Sequence, residues 1–183
     1  MEAEAQSAAE LQALVSTLLR RRCARSWLFV STADAHGNCD CSPRFGKAGF
    51  VRVLDSTTLA YPEYRGNGVY ASLGNILENP HIGLVFVDFY RTTVGLHVNG
   101  QAHSFVPSEM PARLSAYLQQ QAAVLEASVE RWVVITVEEA YIHCSKHVPR
   151  LTKTSKTIQW GTDDPVAKSD SFFLETQRPP KSP

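Results

Sequence analysis

The chain has 183 residues, and its 18 lysines and arginines balance 18 aspartates and glutamates, so the formal net charge is zero. This length suits a single domain with its own hydrophobic core, and the balanced charge argues against a general attraction to nucleic acid or acidic membranes. The sequence shows neither a secretory signal pattern nor an apolar run close to the roughly 20 residues that span a bilayer. We therefore expect a cytoplasmic protein with no nucleic-acid or membrane partner.

Hydrophobic periodicity predicts an N-terminal helix followed by many short strands. Apolar residues at helical spacing place an amphipathic helix at residues 8–22. Strands are predicted at residues 27–33, 39–43, 50–54, 58–61, 81–88, 94–105 and 131–144. Two further helices are expected at residues 70–77 and at about 107–125. In the strand 94–105, Gly95 or Gly100 is expected to mark a bulge, and both faces of the strand 131–144 are apolar enough to be buried.

The order of these elements predicts one main domain. Short antiparallel strands with few helices indicate a closed or nearly closed barrel, because closure removes exposed strand edges. We divide the chain into an N-terminal helix at residues 1–26, a barrel domain at residues 27–160 and a C-terminal tail at residues 161–183, whose end is rich in proline.

The densest polar segment, residues 61–75, runs from a strand end through a loop into a helix. Gly66 and Gly68 allow the backbone to approach a ligand closely. Arg65 supplies a guanidinium, while Asn67 and Ser72 supply neutral hydrogen-bonding groups. Because a helix N-terminus offers unpaired N–H groups, the segment indicates a phosphate site. It lacks the Walker and dinucleotide-binding patterns, so an ordinary capped turn remains the alternative.

A second basic loop, residues 42–50, precedes the strand at residues 50–54. It carries Arg44 and Lys47 beside Gly46 and Gly49. Two basic, glycine-containing loops at strand ends favour an anionic cofactor.

These segments resemble the pyridoxamine 5′-phosphate oxidase-like family of FMN-binding split barrels. The resemblance includes residues 30–34, Gly37, residues 42–44, 49–55 and 58–62. Its most specific part consists of residues 65–67 and 72–80, which lead into residues 82–88. Residues 96–102, residues 141–146 and Trp160 resemble the family's later strand and C-terminal signature.

The resemblance implies a mainly β fold, a six-stranded antiparallel Greek-key split barrel with flanking helices at residues 27–160. It also implies a homodimer with FMN at the interface. The cofactor-binding positions that it implies are Arg44, Phe50, Val51, Arg52, Tyr61, Pro62, Arg65, Asn67, Ser72, Leu73, Asn75, Lys146 and Trp160. Among these, residues 50–53 would line the flavin ring and Arg44 would lie near the ring or the substrate. The resemblance assigns no catalytic residue.

The implied activity is that of an FMN-dependent oxidoreductase acting on a small substrate or on an electron donor such as NAD(P)H. True pyridoxamine phosphate oxidases end in a basic segment that helps to hold the substrate, and residues 176–180 lack it, which argues against that reaction. The alternatives are a non-catalytic flavin-binding, sensing or electron-transfer protein, and a split barrel that uses deazaflavin or haem. For haem, the candidate axial ligands are His97, His143 and His147.

The cysteines give weaker indications. Cys39 and Cys41 are two residues apart and share a strand face, and Cys144 lies between His143 and His147. Neither spacing is typical of a zinc finger or ribbon. We expect no metal site and free thiols.

Overall fold

The computed structural model describes residues 27–65, 68–120, 129–152 and 154–155. The expected helix at residues 8–22 and the expected tail at residues 161–183 lie outside the described residues, as do Asn67 and Trp160. No helix within the described residues is long and apolar enough to cross a membrane.

The described residues form seven strands and two α-helices. The strands are β1 (Trp27–Ala33), β2 (Cys39–Phe45), β3 (Arg52–Val53), β4 (Thr58–Tyr64), β5 (His81–Val87), β6 (Gly95–Phe105) and β7 (Val129–His143). The helices are α1 (Ala71–Glu78), between β4 and β5, and α2 (Ala112–Gln120), which follows a 3-10 turn at Pro107–Glu109.

All seven strands form one sheet in the order β2-β1-β5-β6-β7-β4-β3, and every neighbouring pair is antiparallel. The mainly β, antiparallel split-barrel fold implied by the resemblance is therefore confirmed. The count of six strands is wrong, whereas each of the seven predicted strand segments contains a strand. The additional strand, β3, is only two residues long, and just before it the Phe50 N–H donates to the Lys47 carbonyl in a turn at 2.9 Å.

Element boundaries differ from the predictions where the backbone has special requirements. Helix α1 begins at Ala71 because Tyr70, its N-cap, has a left-handed φ of 51°. The helix expected near residues 107–125 is divided into the 3-10 turn and α2. Pro111 has no N–H to continue the turn, and its carbonyl accepts the first hydrogen bond of α2, from the Ser115 N–H at 3.0 Å.

Apolar side chains pack on both faces of the sheet. The larger cluster, the barrel core, fills the inner face with residues of β1, β4, β5, β6, β7 and α1. A smaller cluster on the outer face lies beneath α2 and includes Ala60, Leu118 and Trp132. Strand β7 contributes to both, since Val133 and Ile135 belong to the barrel core and Trp132 to the outer cluster. The prediction that both faces of this strand are buried holds only for its first half, because Thr136 on the outer face is exposed and so are Tyr141 and Ile142 further along.

Gly100 permits the closest approach of β6 to β7. The pairing register shifts between Asn99 and Gly100, as expected for a bulge. A Cβ atom at Gly100 would lie 2.1 Å from the backbone oxygen of Thr136, so no other residue fits without moving the strand. The sequence-based expectation of a bulge is confirmed at Gly100.

Candidate functional site: a polar seam between β2, β4 and α1

The inner face of β2 is polar. Exposure alternates along this strand, and the half-buried positions include Asp40, Ser42 and Arg44. The alternation follows from the two-residue period of a strand, which directs these three side chains to one face. We call this face, together with the groups that it contacts on β4 and α1, the polar seam.

An ion pair joins β2 to β4, two strands that are not hydrogen-bonded neighbours in the described sheet. Arg44 Nε lies 2.6 Å from Glu63 Oε1, and the two side chains are 17% and 9% exposed. Glu63 lies two residues from Tyr61, which faces the barrel core, so the carboxylate also points inward. The contact shows that the sheet curls until its two ends approach each other.

Burial controls the protonation of the seam's inner groups. Loss of solvent raises the pKa of Glu63, although the Arg44 charge opposes this effect. Burial, aided by the Glu63 charge, raises the pKa of Tyr61, so its hydroxyl stays protonated at neutral pH. The Tyr61 hydroxyl is completely buried, and a hydrogen bond to the Glu63 carboxylate contributes to its raised pKa.

The first turns of α1 are attached to the sheet by side-chain hydrogen bonds. Ser72, which is 1% exposed, donates its hydroxyl proton to Asp40 Oδ2 at 2.7 Å. Asn75 Nδ2 donates to Thr32 Oγ1 at 3.1 Å. Leu73 is buried in the barrel core. The three predicted α1 residues therefore face the sheet, and Ser72 opens onto the seam.

Arg65 lies at the exposed end of β4, close to the start of β7. Its Nε is 3.9 Å from Glu130 Oε1, and the two side chains are 59% and 34% exposed. The Tyr70 hydroxyl also donates to Glu130. This hydrogen bond raises the pKa of Tyr70. Glu130 thus connects the two ends of the loop that leads into α1.

The residues expected to line a flavin ring are mostly buried. Phe50 and Val51 are each 3% exposed and belong to the barrel core. Pro62 is buried opposite Trp132 on β7. Arg52 pairs with Ala60, which places it on the outer face, and its buried Nε has no hydrogen-bond partner among the described residues. Arg52 and Tyr61 therefore lie on opposite faces of the sheet.

Lys146 is distant from Arg65 within one chain. Strand β7 has 15 residues, and the end that pairs with Tyr64 is opposite the end that leads to Lys146. At about 3.3 Å per residue, the two ends are roughly 45 Å apart along the strand. A single chain therefore does not bring Lys146 to the phosphate loop.

The candidate haem and metal ligands are not gathered at the seam. The His97 ring stacks on Tyr141 with a centroid distance of 4.7 Å, His147 is exposed after β7, and the side chain of His143 is not among those described. Cys39, Cys41 and Cys144 are exposed and free.

The ligand atoms of Asp34, His36 and Glu78 lie within 4.8 Å of one another at the β1–β2 turn. Both carboxylates of this group accept backbone N–H groups of the turn: Asp34 Oδ1 accepts from His36, and Glu78 Oε2 from Ala35. These hydrogen bonds account for the proximity of the group.

Comparison of the sequence with models of known protein families identifies the family of this chain. The family model described as pyridoxamine 5′-phosphate oxidase matches residues 15–144, which include every described strand. The chain belongs to that family. A search of curated proteins found no match.

Solved structures of the family's fold share little sequence with this chain. HupZ from Group A Streptococcus is 20% identical, with 80% of this chain and 100% of that chain covered and a TM-score of 0.50. A single-substitution variant of HupZ is 22% identical, covering 70% of this chain and 99% of that chain, with a TM-score of 0.54. An FMN-binding protein from Syntrophomonas wolfei is 11% identical, covering 73% and 86%, with a TM-score of 0.50. At these identities the likeness supports the fold alone.

The side chains of the seam and its loop include donors that suit an anionic, oxygen-rich group such as a phosphate. Two guanidinium groups, Arg44 and Arg65, lie on β2 and at the end of β4, and the Ser72 hydroxyl lies in the first turn of α1. Hydrogen-bond donors of this type hold phosphate and carbonyl oxygens.

Three carboxylates that contact the seam or its loop were not among the residues singled out from sequence: Asp40, Glu63 and Glu130. The period of two along β2 and β4 could have placed Asp40 and Glu63 on the inner face. Nothing local could have indicated Glu130, because it is 65 residues from its partner Arg65 (130 − 65).

Proposed function

We propose that this protein binds FMN at the polar seam and acts as an FMN-dependent oxidoreductase. The observation that carries the proposal is the family match over residues 15–144, which contain all three elements of the seam. The donors of the seam and its loop support it, because Arg44, Arg65 and Ser72 carry groups of the kind that hold phosphate and carbonyl oxygens.

Different residues of the site would bind different parts of the cofactor. Arg65, Ser72 and Asn75, around the start of α1, would hold the phosphate, and the helix N-terminus would add its partial positive charge. Arg44 and the protonated Tyr61 hydroxyl would hydrogen-bond to oxygen atoms of the ring or the substrate. When bound, FMN supplies the capacity to accept a hydride at its N5 atom, while the protein supplies orientation and electrostatics.

We further propose that the protein is a cytoplasmic homodimer with FMN at the interface and NAD(P)H or a small substrate as the electron donor. Two observations support the dimer. Tyr141 and Ile142 are 43% and 52% exposed near the end of β7, and large exposed apolar side chains are frequent at interfaces. In addition, Lys146 is remote from the phosphate loop of its own chain. Light scattering during gel filtration will give the mass, and a monomer would contradict this assembly.

The visible spectrum of the purified protein, before and after addition of FMN, tests the cofactor. We expect flavin absorption bands that remain after desalting. A colourless protein that binds no FMN would refute the proposal. Anaerobic addition of NADH or NADPH then distinguishes an enzyme from a passive flavin carrier. An oxidoreductase is expected to reduce its bound flavin at a catalytically useful rate, which bleaches the flavin absorption, whereas a passive carrier is not.

Arg65→Ala tests the phosphate role. Loss of a charged hydrogen bond to phosphate is expected to weaken FMN binding by about 1.5 kcal/mol, the lower end of the range, because Arg65 is exposed. Arg91→Ala removes one charge from the exposed turn after β5 and serves as the matched control. Equal FMN affinities for the two variants would remove Arg65 from the site.

A further inference from the structure

Three groups that would bind the cofactor are already in contact with carboxylates. Ser72 donates to Asp40 at 2.7 Å, Arg44 lies 2.6 Å from Glu63, and Arg65 lies 3.9 Å from Glu130. The members of these pairs are 32, 19 and 65 residues apart in sequence (72 − 40, 63 − 44 and 130 − 65). Folding, rather than local sequence, therefore brings a protein anion to each of these groups.

Of the three carboxylates, Asp40 lies closest to the part of the site that would hold the phosphate, the first turn of α1. Helix α1 has no acidic residue in its first turn and no side-chain hydrogen bond at its N-cap. Asp40 reaches this turn from β2 and supplies the negative charge that a helix N-terminus favours. It also receives the Ser42 hydroxyl at 2.9 Å, on the same oxygen that accepts from Ser72. A carboxylate from another element thus stands at the position expected for a phosphate.

Two anions at this turn would compete for one donor. A serine hydroxyl has a single proton, so Ser72 can donate either to Asp40 or to a phosphate oxygen. The carboxylate would also repel a phosphate dianion, and such like-charge contacts are costly in partly buried sites. Glu63 plays a different part, because its removal would leave Arg44 half-buried without its partner. Glu130 is more exposed, so water screens its charge.

We propose that Asp40 is a specificity-determining residue that competes with the cofactor phosphate for Ser72 and so weakens the binding of phosphate-bearing flavins relative to uncharged ones. This proposal rests on the proposed FMN function. Asp40 makes the phosphate site selective by charge: a ligand must displace the carboxylate to gain the Ser72 hydroxyl, whereas a ligand without phosphate leaves the Asp40–Ser72 hydrogen bond in place.

The variant Asp40→Asn tests the proposal with minimal change of shape. Its amide oxygen can still accept from Ser72, but the negative charge is gone. The matched control is Glu138→Gln, which removes the same charge from an exposed position on β7 where Glu138 accepts from Gln101 at 2.6 Å. Dissociation constants for FMN and for riboflavin, which lacks the phosphate, are measured by quenching of flavin fluorescence. Thermal unfolding of the flavin-free proteins confirms that each variant is folded.

We expect Asp40→Asn to tighten FMN binding by about tenfold, a change of about 1.4 kcal/mol, and to leave riboflavin binding within about twofold. Glu138→Gln should change neither. Adding Ser72→Ala to Asp40→Asn should remove the part of the gain that depends on the Ser72 hydroxyl, so the double variant should bind FMN less tightly than Asp40→Asn alone.

The other outcomes distinguish two failures. If FMN binds and Asp40→Asn leaves the ratio of the two dissociation constants unchanged, or weakens FMN binding, Asp40 has a purely structural role and the inference is overturned while the FMN proposal stands. If neither flavin binds to the wild type or the variants, the proposed function and this inference both fail.

Discussion

Strands β2 and β5 both pair with β1, yet their inner faces are chemically opposite. Strand β5 directs Ile82, Leu84 and Phe86 into the barrel core, each no more than 4% exposed. Strand β2 directs Asp40, Ser42 and Arg44 inward, and none of them is fully buried. The same antiparallel ladder thus supports an apolar wall on one side of β1 and a polar one on the other.

The apolar inner face of β5 contributes mainly to stability, whereas the polar inner face of β2 is suited to ligand recognition. On β5, removal of apolar surface from water contributes free energy without directional demands. On β2, Arg44 and Asp40 each need a specific partner from another element, which Glu63 and Ser72 provide. The place where the core becomes polar is therefore where a charged ligand has donors to bind, as the proposed FMN site requires.

The largest expected change in the free energy of unfolding comes from a substitution on the apolar strand β5. Leu84 is fully buried, so Leu84→Ala should lower the free energy of unfolding by about 2–5 kcal/mol through lost burial and a cavity. Urea denaturation monitored by tryptophan fluorescence measures it. Leu77→Ala, at a position 78% exposed, should stay within about 0.5 kcal/mol of the wild type. Equal losses for the two variants would show that β5 does not form the core.

A smaller loss of stability is expected from a substitution on the polar strand β2. Arg44→Ala leaves Glu63 buried without its cation, and we expect about 2–3 kcal/mol of destabilisation. This is below the value for a fully enclosed pair, because Glu63 can take up a proton.

The double variant Arg44→Met, Glu63→Leu replaces the pair by apolar groups of similar size and should recover most of that loss. If the double variant is as unstable as Arg44→Ala, the pair is required for the fold itself, and the comparison between β2 and β5 would need revision.

The smallest effect is a pH dependence that distinguishes the wild type from Glu63→Gln. Because burial raises the folded-state pKa of Glu63 above its ordinary value of 4.5, the folded protein binds more protons than the unfolded chain between the two pKa values. The associated stability is present below pH 4.5 and is lost as the pH rises through the raised pKa. Denaturation midpoints of both proteins between pH 4 and pH 8, about the range over which a raised carboxyl pKa falls, provide the measurement. A constant difference across this range would mean that Glu63 titrates normally.

Much of the fold could be predicted from local pattern. The sequence pattern identifies all seven described strand segments, places the bulge at one of two glycines and predicts burial of both faces of β7, which holds for the first half of that strand. These features depend on periodicity within one segment, which the sequence displays directly. The predicted helix near residues 107–125 was only partly correct, since Pro111 interrupts it.

The site could be predicted only in part. The residues Arg44, Arg65 and Ser72 were singled out because their side chains and the neighbouring glycines suit an anion. Their actual neighbours could not be inferred, since Asp40, Glu63 and Glu130 come from elements distant in sequence. The burial of Phe50 and Val51 could not be predicted either, because a short apolar strand segment has the same sequence pattern whether it lines a ligand or packs in the core.

The sequence by itself determined the period of each strand, the turns between them and the supply of cations near two loops, because these properties arise from residues close together in the chain. Only the tertiary structure decided that β2 and β4 approach each other, that Glu63 is buried beside Arg44, and that Asp40 reaches the first turn of α1. Such contacts depend on how the whole sheet curls, and a charge has its effect through the neighbours and the solvent that the fold assigns to it.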